Sequence, residues 1–560
     1  MLCSLSLCIH NSSCSSRSDP PASPPHDLVT HLHTLNDSSI DEKIAKQQHN
    51  RTQSGHGGIR GAHGIYHAGS TASFIRDLAV AYTSAQSRYA GDPKLLAALN
   101  NAAEFMLDVQ HADGTIDLLT TNFHSPPDTG FILEWMCASA GVLRDANNSS
   151  VTTLLDKLLK FIRLGADALT VGGVHTPNHR WVVCMALARA NSLIPDPRYV
   201  KRIDTWLAEN IDIDPDGQFT ERSTSIYSPL TDRCLITIAR LLNRPELLEP
   251  VRRNLEMSLH YMHANGDVVT EGSRRQDQYE RKSMVRYYYP YRFMAQHDRN
   301  GRFASVVHLL EQSKMAQLSS QLVYFLESPS LADPLPTRSD LPSDFERHFT
   351  HSRLARIRRG QLSATILEDN PSFFSFHVGS AAVVLRFASA FFGKGQFMGS
   401  HLHKEGDAWV MSQNLTGPYF QPIAKAHQRA DGNWDKMPRE LRSTSEVQTL
   451  RSIVRITERP RGIDVEIDIS GTDNVPIAIE IGCPPGSQVT GANQLTTTPA
   501  SWSLTSGQTR VSVGPDHLEI GKGRADHRWT RIRGALPELP GDKIYVTSFS
   551  PFRDTLTFRW

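Results

Sequence analysis

The chain of 560 residues has little cysteine, no long apolar run and no surplus of either charge. Its seven cysteines, at positions 3, 8, 14, 137, 184, 234 and 483, show neither CxxC spacing nor a close framework, which excludes a disulfide-stapled scaffold or a cysteine zinc ribbon. Cys137, Cys184 and Cys234 fall in apolar helical stretches and read as small buried thiols. No segment approaches the roughly 18 apolar residues that a membrane-spanning helix needs, so no membrane partner is expected. Lys and Arg number 59 against 58 Asp and Glu, a formal charge of +1, which leaves no global field to draw in nucleic acid. An anionic ligand must then be met by local charge.

At roughly 100–200 residues per domain the chain has room for two to four domains. Residues 1–55 open with a short apolar run that lacks a basic flank and continues Ser/Pro-rich; they read as a disordered leader or export segment. From residue 56 to 327 apolar residues recur at helical spacing, as in FIRDLAVAYTSAQSRYA, LLAALNNAAEFMLDVQ, GFILEWMCASAGVLRD and LLDKLLKFIRLGADAL. About ten helices without strands predict paired helical hairpins. Related turns, His111-Ala-Asp-Gly, Asp214-Pro-Asp-Gly and His263-Ala-Asn-Gly, recur between them, a weak repeat that fits an (α/α) toroid whose loops gather on one face. A Pro/Ser/Asp-rich linker covers 328–348. From 349 to 560 the period changes to short Val/Ile/Thr/aromatic runs between Gly, Pro and Asn turns, predicting a large antiparallel β-sandwich. The expected class is thus α+β and multidomain.

Four segments carry candidate chemistry. In Thr176-Pro-Asn-His-Arg-Trp181, Asn178, His179 and Arg180 stand where a loop meets an apolar helix; they suit an anion, and they equally suit an N-cap asparagine with two exposed neighbours. Tyr227 ends the polar loop that begins at Asp216; a phenol, with its ordinary pKa near 10, serves as a base only where cations favour the phenolate, and Arg222 is one such cation in sequence. Arg274 and Arg275 offer paired guanidinium forks for carboxylate or sulfate, and Tyr288, within Tyr287-Tyr-Tyr-Pro-Tyr291, offers either a sugar-stacking platform or a core aromatic. His401 and His403 lie two apart at the end of an extended run, so a regular strand would turn both to one face.

The order of these features resembles the heparinase II/III-like and alginate-lyase-like polysaccharide lyases, in which a helical toroid precedes an antiparallel sandwich. The resemblance spans about residues 60–560 and is mostly architectural. It implies that Asn178 and His179 match the pair that binds and neutralises a uronate carboxylate, and that Tyr227 matches the tyrosine base and acid. His401 and His403 look like the family's HxH, the first assisting catalysis and the second holding a metal. The run here reads HLHKEGD, with Lys404 and Glu405 ahead of Asp407. The implied activity is β-elimination on an acidic polysaccharide, with no cofactor required, a structural divalent ion (Zn or Ca) at His403, and a secreted or periplasmic location. Two other readings stay open: a toroid glycoside hydrolase using two of Glu134, Asp216, Glu221 and Glu271, and a carbohydrate-binding protein without turnover.

Overall fold

A computed structural model describes residues 25–496 and 498–560. Cys3, Cys8 and Cys14 lie outside these residues; Cys137, Cys184, Cys234 and Cys483 are buried free thiols.

The helical half is built from five hairpins. Their inner helices are Ala68–Thr83, Pro126–Asp145, Pro177–Leu193, Tyr227–Leu242 and Tyr288–His297, and their outer partners are Pro93–Val109, Thr152–Val171, Pro197–Leu207, Leu248–His260 and Gly301–Lys314. The layers differ in composition for a packing reason. Pro177–Leu193 carries apolar residues on every side and is buried nearly throughout, whereas Pro197–Leu207 buries little beyond Tyr199 and Ile203 and gives its other faces to water. Proline at the first turn starts Pro93–Val109, Pro126–Asp145, Pro177–Leu193 and Pro197–Leu207, where its missing N–H costs nothing.

Two short helices correct the expected extent of the leader. Pro25–Asp37 and Ile40–Ala45 pack on the toroid with Leu32 and Ile40 fully buried, because this stretch repeats the helical period on a small scale. With Leu322–Glu327, whose Tyr324 stacks on Tyr289 with ring centres 4.3 Å apart, they fill the gap between the last hairpin and the first.

The turns repeat more faithfully than their sequences do. In each of Gly61–Gly64, His111–Gly114, Asp214–Gly217 and His263–Gly266 the first residue's N–H donates to the carbonyl four residues on, and the glycine's N–H donates back to the first carbonyl. Each of the four final glycines has positive φ. All four turns precede an inner helix, so the inner helices begin on one face of the toroid.

The other half holds two antiparallel sheets, with one parallel pairing between Ser501–Ser503 and Asp542–Phe549. An eight-stranded sheet ends at Ser400–Glu405; a nine-stranded sheet ends at Asp344–Phe349, so the first strand begins within the expected linker. The rest of that linker is fastened along the toroid: Arg292 Nε donates to the Leu331 carbonyl, and Ser339 exchanges hydrogen bonds with Gly301 and Ser305.

Strands Leu354–Arg359, Leu362–Leu367 and Phe374–Val378 are buried on both faces. Ala355, Ile357, Ala364, Ile366, Phe374 and Phe376 point into the sandwich core, and the alternate residues Arg356, Arg358, Ser363, Thr365, Ser375 and His377 turn outward. The outward row is covered by the toroid. Arg356 donates to the His260 carbonyl and Arg358 to the Met262 carbonyl, so the arginines spend their hydrogens on helix-end oxygens that would otherwise lie buried and unpaired. From the other side Asp216 Oδ2 accepts the His351 and Ser352 N–H groups, each at 2.8 Å.

Candidate active site

Asn178 and Glu221 meet at the start of the inner helix Pro177–Leu193. Thr176 is the N-cap and makes no side-chain cap, so Asn178 is not the capping residue. Glu221 arrives from the neighbouring loop instead: its Oε2 accepts the Asn178 backbone N–H at 3.3 Å and the Asn178 Nδ2 at 2.5 Å. A carboxylate at a helix N-terminus is favoured by the exposed N–H groups and the dipole of the helix. The Arg275 Nε lies 3.3 Å from Glu221 Oε1, so the buried carboxylate is paired with a guanidinium that reaches it from the surface.

The same arginine spans to Tyr227, the first residue of the next inner helix; its guanidinium sits 5.4 Å from the centre of the Tyr227 ring. Gln276 Nε2 donates to the Tyr227 hydroxyl at 2.8 Å. The loop carrying Arg275 and Gln276 is pinned from below by Asp277, which accepts from Ser223 Oγ, Ser225 N and Oγ, and Ser273 Oγ. Asn178, Glu221, Arg275, Gln276 and Tyr227 therefore form one connected group.

His179 stands beside it, edge-on to Phe131 and to His175. Burial, assisted by nearby His175 and Arg275, lowers its pKa to about 4, so the imidazole is uncharged at neutral pH. It can neutralise an anion only by hydrogen bonding. Two polar atoms here, Asn178 Oδ1 and His179 Nδ1, are buried without a partner, while Glu221 Oε1 has only the Arg275 guanidinium beside it. Such atoms are rare in folded proteins, and two on adjoining side chains mark a place prepared for a ligand.

Other expected contributors are occupied elsewhere. Arg180 is held by Glu209 at 3.1 Å and Asp212 at 2.9 Å and lies over the Trp181 ring, so its guanidinium is already engaged within the protein. Arg222 donates to the His351 and Ser352 carbonyls and acts as a joint between the halves. Tyr288 is buried with its hydroxyl on Glu311, which removes it as a stacking platform. Arg274 is exposed beside Arg275.

The histidine pair of the sandwich also departs from expectation. The register slips between Ser400 and His403, and His401 adopts φ +58° in that bulge, so the two do not sit on a regular strand. The His401 N–H donates to Glu368; His403 bonds the His401 carbonyl through Nδ1 and Glu405 through Nε2. Among the described residues neither contacts Asn178, His179 or Tyr227, and no third metal-binding side chain joins His403 in a ligand group.

The four carboxylates weighed for hydrolysis are likewise dispersed. Glu134 is buried against Arg233 and Tyr324, Asp216 holds the sandwich backbone, Glu221 holds Asn178, and Glu271 lies at the domain joint.

The joint contains what spacing along the chain could not bring together. His263, Glu271 and His377 meet there: Glu271 Oε1 is 2.7 Å from His377 Nε2 and 3.7 Å from His263 Nε2, and the two rings stack at 3.9 Å. In the sequence Glu271 counts only among the carboxylates weighed for hydrolysis, and His263 only as the first residue of a turn. A cavity of about 420 Å³ opens beside the three, lined also by Tyr279, Cys483 and Pro484.

No protein-family model matches the chain, and no curated protein is significantly similar to it. Solved structures do match its fold. Heparinase III superposes with a TM-score of 0.53 at 12% identity, covering 95% of this chain and 82% of that one. The chondroitin AC lyase of Streptomyces coelicolor A3 in complex with chondroitin sulphate gives 0.53 at 13% identity over 97% of this chain and 78% of that one. A Paenibacillus xanthan lyase gives 0.56 at 11% identity, with 96% of this chain covering 56% of the larger enzyme. The fold is that of the polysaccharide lyases. The toroid-plus-sandwich reading thus holds along nearly the whole chain, while identities this low speak for architecture alone.

Proposed function

We propose that the protein is a polysaccharide lyase that cleaves a uronate-containing polymer by β-elimination, and that Asn178, His179, Arg275 and Tyr227 do the work. The observation that carries this reading is the unpartnered buried His179 Nδ1 beside a loosely held Asn178 amide hydrogen, next to a tyrosine hydroxyl that already receives a hydrogen bond. It is supported by the lyase fold and by the dispersal of the four carboxylates weighed for hydrolysis.

In the proposed reaction the uronate carboxylate lies against Asn178 and His179. Its negative charge grows as the C5 proton leaves, so donors aimed at its oxygens stabilise the transition state more than the ground state. The Asn178 amide keeps one hydrogen on Glu221; the other makes only a 3.3 Å contact with Thr176 Oγ1, which a substrate oxygen can replace. His179 donates as a neutral imidazole, and the guanidiniums of Arg275 and exposed Arg274 supply the positive charge.

The Tyr227 phenolate takes the C5 proton, the C4–O4 bond breaks as the C4–C5 double bond forms, and the phenol returns the proton to O4. Gln276 and Arg275 set a donor and a cation beside the oxygen and ring that carry the charge between turnovers.

A screen of acidic polysaccharides tests the reading, because the unsaturated product absorbs in the near ultraviolet. On the responding polymer, Tyr227→Phe and Asn178→Ala are each expected to lose ~10²–10³ in kcat while remaining folded. Chain cleavage without the chromophore would point to hydrolysis, and near-normal turnover in Tyr227→Phe would remove the tyrosine as base. A uronate substrate and export from the cell belong to the same proposal.

A further inference from the structure

The cluster at the domain joint takes no part in the proposed elimination, yet it is built with care. Its members come from three separate elements: His263 from the turn after an outer helix, Glu271 from the loop that follows, and His377 from a sandwich strand. Glu271 is buried, and among the described residues no arginine or lysine pairs with it. Its Oε1 faces both imidazoles and accepts from Ser375 Oγ at 2.9 Å, while its Oε2 is buried with no partner. A carboxylate taken out of water without a cation beside it is costly, and its direct partners here are a hydroxyl and two imidazoles.

Two imidazole nitrogens and one carboxylate oxygen converging on a point are the ligand set of an open zinc site. Calcium and magnesium prefer all-oxygen surroundings, so the nitrogen pair selects a transition metal. An ion bound at 2.0–2.1 Å in a tetrahedron would hold its ligands about 3.4 Å apart. The ligand atoms here all lie within 4.8 Å of one another, so closing on an ion needs movements on the order of 1 Å. An outer shell is present as well: His263 Nδ1 lies 3.0 Å from Ser363 Oγ, which also accepts from Arg356 at 2.7 Å. With Nε2 on a metal, the ring proton moves to Nδ1 and is donated to Ser363, whose second lone pair remains for Arg356. The cavity beside the three residues leaves the fourth position open to solvent or an anion.

We propose that His263, Glu271 and His377 form a zinc site that clamps the toroid to the sandwich. The ion would neutralise Glu271 and fix the loop four residues before Arg275, a span of at most about 14 Å along the chain, and so hold Arg275 and Gln276 beside Tyr227. The proposal is independent of the reaction assigned above, since binding can be read without turnover.

The full-length protein, stripped with a chelator and titrated with Zn²⁺ against a chromophoric competitor, is expected to bind one ion per chain and to gain thermal stability from it. X-ray absorption on the zinc-loaded wild type should show two imidazole nitrogens. Ser363→Ala should weaken binding ~10–100-fold, and Glu271→Gln and His377→Asn by more than that, with no zinc-dependent rise in Tm. His403→Ala should bind as wild type does. Absence of stoichiometric binding by the folded wild type, a first shell with fewer than two imidazoles, or loss of binding in His403→Ala would each overturn the site.

Discussion

The Asn178 amide nitrogen lies 2.5 Å from Glu221 Oε2, and the same oxygen accepts the Asn178 backbone N–H. The carboxylate of one loop thereby orients the side chain that opens the next inner helix, and fixes which amide atom is left for a ligand. A charge-assisted bond of this kind contributes about 1.5–3 kcal/mol, and both residues are buried, so neither has a competing partner in water.

Glu221→Gln is therefore expected to lower kcat on a cleaved polymer by ~10²-fold, the scale of a misplaced reacting group. Because Glu221 acts through Asn178, the double variant with Asn178→Ala should lose little more than Asn178→Ala alone. Losses that multiply in the double variant would show that Glu221 acts on the substrate directly.

Arg180 belongs to the scaffold. Arg180→Ala removes contacts to Glu209 and Asp212 and is expected to cost about 1–3 kcal/mol in urea unfolding, with kcat and KM at wild-type values. A raised KM with unchanged stability would return Arg180 to the binding site.

How much of this was legible in the sequence follows from range. The switch from helical to alternating periodicity and the Asp-Gly and Asn-Gly turns are local signals, and they located both halves. The fourth turn, Gly61-Ala-His-Gly64, escaped because it lacks both the leading His or Asp and the Asp or Asn before the glycine that the others carry. Arg356 and Arg358 alternate with apolar residues, which in a sequence means a solvated strand face; the toroid that covers them lies about a hundred residues earlier. Glu221 and Asn178 are 43 residues apart and Glu271 and His377 are 106 apart, distances at which no periodicity carries information. His401 and His403 stood out because they are close in sequence, and a bulge takes them off a regular strand.

The buried His179 imidazole makes a prediction about acid. Its folded pKa of about 4 lies below the unfolded value near 6.5, so between these limits the unfolded chain holds more protons and stability falls as pH is lowered. Asp128 opposes the shift, while His175 and Arg275 reinforce it. His260, also held to about 4 by burial, contributes with the same sign. Urea unfolding of His179→Gln between pH 7 and pH 4 should show a shallower decline than the wild type, while the wild type retains activity below pH 6.5 without a limb at the ordinary histidine value. Parallel stability curves would mean that His179 is charged in the folded protein.

The joint between the halves depends on a glycine. Gly217 has φ +98°, and a Cβ there would stand 2.5 Å from the Arg253 carbonyl, so alanine meets both backbone strain and a collision that the outer helix cannot relieve without moving. Gly64, at the matching place in the first turn, has φ +73° with nothing within 4 Å of such a Cβ. Gly64→Ala should cost ~1 kcal/mol from conformation alone, and Gly217→Ala about 2–3 kcal/mol or more. The difference has a structural address, because Asp214 and Asp216 in the Gly217 turn hold Ser352 and His351. Amide exchange at His351 and Ser352 should quicken in Gly217→Ala and stay unchanged in Gly64→Ala. Equal melting losses with unchanged exchange in both would show that the left-handed backbone, and not the close approach to Arg253, sets the cost.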